Sequence, residues 1–75
     1  MILPTKHLKT SSSLIWAGAV LLQKLNKPKS VGLLWEEVKN DAYVKNYQKY
    51  ILTLDLLYLL SMIELKEGLI TVIRK

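Results

Sequence analysis

With 75 residues and no cysteine, the chain is long enough for a single domain, residues 1–75, and has neither disulfides nor thiolate metal sites to hold it together. A hydrophobic fraction of 51% with three glycines and two prolines argues against disorder. Eleven Lys and Arg against six Asp and Glu give a formal charge of +5, which favours anionic partners, but lysine, the main cation here, lacks the planar fork that grips phosphate or guanine bidentately.

Residues 1–12 read as an extended segment. Ile2, Leu3 and Leu8 are its apolar anchors, and Pro4 stands against helix continuation. His7, the single histidine, cannot make a metal site alone, and no nucleophile is paired with it. The polar cluster at residues 10–13 offers N-caps for a first helix over residues 14–25. That helix is apolar almost all round, and Gly18 within it suggests that another helix approaches closely. Ser30 caps a second helix from residue 31 to about residue 40, with Val31, Leu34, Trp35 and Val38 inward and Glu36 and Glu37 solvated. Trp16 and Trp35 are both expected in the core.

Residues 46–61 form the third and longest helix, and it carries two apolar stripes. Tyr47, Tyr50, Ile51, Leu54, Leu57 and Tyr58 recur at core spacing on one face. Leu52, Leu56, Leu59 and Leu60 lie nearly opposite, among Gln48, Lys49, Thr53 and Asp55. A surface helix needs only one such stripe; the second must be covered by the N-terminal segment, by a second copy of the chain or by another protein. The chain closes with β-rich runs on either side of Lys66-Glu67-Gly68, which read as a hairpin. The expected fold is therefore mainly α with a C-terminal β-hairpin, a winged-helix-like three-helix domain.

No nucleophile with a base, carboxylate pair, metal-ligand cluster or phosphate loop stands out, so the expected class is non-enzymatic, without a cofactor. The apolar stretches at residues 14–22 and 51–63 are too short to span a bilayer, and no signal peptide opens the chain, so cytoplasmic residence is expected. Winged-helix order and net charge also suggest a DNA-binding protein. Its contacts would be mainly nonspecific, to phosphates, through Lys45, Lys49, Lys66, Arg74 and Lys75.

Leu3-Pro4-Thr5-Lys6-His7-Leu8, Ser13-Leu14-Ile15, Ser30-Val31, Leu34-Trp35, the Tyr50-Ile51-Leu52-Thr53-Leu54-Asp55-Leu56-Leu57-Tyr58 helix, Ile63-Glu64-Leu65 and Gly68-Leu69-Ile70 together resemble the small middle components of bacterial ABC three-component systems. The resemblance implies a non-enzymatic partner of an SMC/Rad50-like ABC ATPase and of a separate effector, in antiphage defence. It carries no catalytic residues. Leu52, Leu56, Leu59 and Leu60 are the expected partner interface.

Overall fold

The computed structural model describes residues 5–73, with side chains from Ser13 onward. Its elements are α1 (Thr5–Lys24), β1 (Lys29–Ser30), α2 (Val31–Val38), α3 (Tyr47–Leu59), β2 (Ile63–Lys66) and β3 (Leu69–Val72). The fold is mainly helical with a C-terminal hairpin, consistent with the winged-helix-like arrangement expected. The extended reading of residues 1–12 is corrected from Thr5 onward, because α1 already runs there and passes through the polar cluster at residues 10–13. A proline is tolerated at the start of a helix, where its missing N–H costs nothing, so Pro4 in the sequence is compatible with a helix that follows it at once. Ile2, Leu3 and Pro4 lie outside the described residues, as do the side chains of His7 and Leu8.

Local capping chemistry fixes the two later helices. The Ser30 hydroxyl accepts from the Leu33 amide at 3.1 Å and the Asn46 side-chain oxygen from the Lys49 amide at 2.8 Å, each satisfying a donor that the first helical turn leaves free. Between them, the Asp41 carboxylate accepts from the amides of Tyr43 at 2.8 Å and Val44 at 3.4 Å, a turn that folds Val44 into the core. At the end of α3 the Met62 amide donates back to the Leu57 carbonyl and the Ser61 amide to that of Tyr58, with Ser61 at φ 61°. This is a Schellman ending, in which a left-handed residue, here serine in place of the usual glycine, stops the helix and redirects the chain.

β2 and β3 pair antiparallel with Lys66 opposite Leu69, leaving Glu67 and Gly68 as a two-residue turn at φ 53° and 80°. Both values are positive, as in a type I′ turn, whose twist suits a hairpin. β1 adds to the far side of β3, giving the sheet order β1-β3-β2, so β2 is an edge. β1 is not expected from the sequence. Two residues after a proline carry no strand signal of their own, and their pairing is set by β3.

Ala17, Leu21 and Leu25 of α1, Leu34 and Val38 of α2, and Tyr50, Leu54 and Leu57 of α3 are buried with Ile63 and Ile70 of the hairpin. Gly18 has the packing role its cost implied: a Cβ there would stand 3.3 Å from Leu57 Cδ2 and 3.9 Å from Thr53 Cγ2. α1 therefore sits against the Thr53–Leu57 side of α3. Thr53, assigned from sequence to the outer face, is fully buried, its hydroxyl donating to the Lys49 carbonyl at 2.8 Å. Trp35 is half-buried against Tyr47 and Tyr50, with ring centroids 5.1 and 5.2 Å away. Trp16 is a correction. It is 55% exposed, stacked on Tyr43 at the surface, because it lies about 100° round α1 from the buried Ala17 and about 140° from Leu21.

Candidate partner-binding surface

The buried face of α3 centres on Tyr50, Thr53, Leu54 and Leu57, rotated by about 50° from the expected stripe when residues are placed at 100° intervals. Packing on α1 through Gly18 pulls the helix round. The rotation leaves Tyr47 and Tyr58, both expected in the core, more than half exposed.

On the opposite side the leucines stand out from the protein. Leu52 is 55% exposed, Leu59 78% and Leu60 58%. Leu52 and Leu59 are seven residues apart, so they lie almost in line along the helix, about 10 Å apart in rise. Leu56 is different: it is half-buried, on the flank turned toward α1. The exposed ridge is thus Leu52 and Leu59; Leu60, the C-cap residue just past α3, is exposed about 100° round from Leu59. Fully burying one such side chain is worth about 1.5–3 kcal/mol, which is forgone while it faces water.

Leu52 also borders a more polar pocket of about 680 Å³ between α1 and the start of α3, lined by Ser13, Leu14, Lys45, Asn46, Gln48 and Lys49. Lys49 donates to the Ser13 hydroxyl there. Lys45 and Lys49 therefore share one pocket, whereas Lys66 lies in the hairpin. Arg74 and Lys75 lie outside the described residues.

Two features were not legible in the sequence as functional or structural pairs. Lys29, only 6% exposed, forms an ion pair with Glu37 at 2.6 Å, so Glu37 is not the freely solvated charge expected, while Glu36 does remain at the surface with Lys39. A second apolar concavity, about 340 Å³, opens between α3 and the hairpin, with Tyr58 and Leu65 at its rim. No group of His, Cys, Asp and Glu among the described residues could hold a metal ion, and no described helix is long and apolar enough to cross a membrane.

The family model described as ABC-three component (ABC-3C) system Middle Component 6 matches residues 3–73. No curated protein and no solved structure matches the chain. The match extends over nearly all of the sequence, and the chain belongs to that family, whose members are accessory components of ABC three-component systems.

Proposed function

Starting from membership in a family of middle components, we propose that the protein is a non-enzymatic adaptor, binding an SMC/Rad50-like ABC ATPase and its effector in a bacterial antiphage defence system. The outer face of α3 makes the contact, and the setting is the cytoplasm. The observation that carries this reading is the leucine ridge, since Leu52 and Leu59 are exposed on the longest element after α1, with Leu60 exposed just past its end. Amphipathic helices dock through leucines at this spacing. Burying the exposed parts of Leu52 and Leu59 together would contribute about 2–4 kcal/mol before the costs of association, enough to decide whether a complex forms.

The test is co-expression with the ATPase and effector encoded beside it, followed by size-exclusion chromatography. The native chain is expected to co-elute with the ATPase, and the Leu52→Glu/Leu59→Glu variant to elute alone with its helical circular dichroism intact. Loss of the helical signal would mean that the ridge is part of the core. A native chain that elutes as a dimer, separate from the ATPase, would assign the ridge to a second copy.

The competing reading, a winged-helix DNA-binding protein, is favoured by Lys45 and Lys49 sharing the pocket at the start of α3. Against it, the outward face of α3 offers Gln48 and Lys49 at its start and then turns to Leu52 and Leu59, which offer no donors to base edges or phosphates. DNA binding, where measured by fluorescence anisotropy, should be independent of sequence and fall steeply with salt. Preference for one duplex over scrambled competitors at physiological salt would overturn that expectation.

A further inference from the structure

The groove between α3 and the hairpin is floored by apolar side chains such as Leu54 and Ile70, and Tyr58 and Leu65 stand about 60% exposed at its edges. Two carboxylates, Asp55 and Glu64, also line it. Three of the other four acidic residues are engaged, and the fourth, Glu67, has no ion pair among the described residues but lies outside the groove. Glu36 pairs with Lys39, Glu37 with Lys29, the Asp41 oxygen holds the Tyr43 and Val44 amides, and Glu67 occupies the hairpin turn. Among the described residues, neither Asp55 nor Glu64 has an ion-pair partner, and Glu64 is half-buried opposite Thr71.

In a chain of net charge +5, this groove is a local concentration of negative charge on an apolar surface. A purely apolar occupant would leave the carboxylates at its margin without a partner, and phosphates would be repelled. An occupant that supplies a cation answers both objections.

We propose that this groove is a second docking surface, beside the leucine ridge and meeting it at Asp55, which receives an apolar segment of a partner protein carrying a lysine against Asp55 and Glu64. The inference rests on the adaptor reading and deepens it. With one contact on the outer face of α3 and another between α3 and the hairpin, a single small chain can bridge two proteins.

The experiment uses the full-length chain with the purified ATPase and the purified effector encoded beside it, each titrated separately. Asp55→Lys/Glu64→Lys is expected to weaken binding of one of the two at least tenfold with the circular dichroism unchanged. Carbodiimide, which joins a carboxylate directly to a touching amine, is expected to link Asp55 or Glu64 of the native chain to a lysine of that same protein. Reversing that lysine to Glu should restore binding of the charge-reversed chain. Should the charge-reversed chain not fold, the cross-link map decides alone. Unchanged affinity of a folded charge-reversed chain for both proteins, or cross-links that avoid both carboxylates, would overturn the groove proposal. So would a charge reversal that alters only the self-association of the chain. If the native chain binds neither protein, the adaptor reading itself fails; if it binds and only the Leu52→Glu/Leu59→Glu variant is impaired, the groove proposal fails alone.

Discussion

Tyr50 ties stability to alkaline pH in a way that a single substitution can isolate. Its side chain is fully buried, its hydroxyl donates to the Val31 carbonyl at 2.6 Å, and burial, together with the neighbouring Tyr47, pushes its pKa from 10.0 up to about 12. The folded protein therefore holds this proton more tightly than the unfolded chain does. Because the folded pKa is the higher one, the stabilisation is complete below pH 10 and is lost as pH rises toward 12. Two pKa units of separation correspond to a loss of about 2 kcal/mol by pH 12, steep for a domain of this size.

Tyr50→Phe removes both the hydrogen bond and the titration. At neutral pH it should cost about 1 kcal/mol, the net worth of one such bond, and no more, since the Val31 carbonyl also belongs to the first turn of α2. Above pH 10 the variant escapes the loss that the native protein suffers. Urea denaturation at a series of pH values, followed by circular dichroism, should show the two stability curves crossing between pH 10 and 12. Parallel curves over that interval would refute the argument.

The two tryptophans should behave differently: Trp35→Ala is expected to cost about 2 kcal/mol and Trp16→Ala under about 1 kcal/mol, with iodide quenching mainly the Trp16 emission. Glu37→Ala leaves the buried Lys29 ammonium without its partner and should cost about 2 kcal/mol, whereas Lys29→Met should cost less because Glu37, about a third exposed, can rehydrate; urea midpoints for the two variants test the order. Ser61→Gly relieves the left-handed serine that ends α3 and should raise stability by about 1 kcal/mol in thermal or urea denaturation.

Those parts of the fold that depend on neighbours in sequence were legible. Ser30 at the start of α2 and the Lys66-Glu67-Gly68 turn are determined by chemistry within a few residues, and each stands where the sequence put it. The parts set by tertiary packing were not. The direction in which α3 turns depends on Gly18 of α1 meeting Thr53 and Leu57, so the buried face is offset from the periodic stripe, Thr53 lies inside where periodicity places it outside, and Tyr58 lies outside where periodicity places it inside. β1 exists because β3 lies beside it. Of the four leucines assigned to the interface, Leu52 and Leu59 are exposed and Leu56, about 50° round the helix from them, is half-buried, a distinction that periodicity alone does not resolve, while Leu60 is exposed because it lies past the last turn of α3. The groove at Asp55 and Glu64 is built from α3 and the hairpin together, and no local pattern announces it.

Leucine methyl resonances give the most direct view of the outer face of α3. Adding the unlabelled ATPase proposed as its partner to the methyl-labelled protein should shift or broaden the signals of Leu52 and Leu59 first, while those of the buried Leu21 and Leu25 persist until the whole complex tumbles slowly. Leu52 and Leu59 methyls that stay unchanged while the ATPase is demonstrably bound would contradict the assignment of this face as the interface.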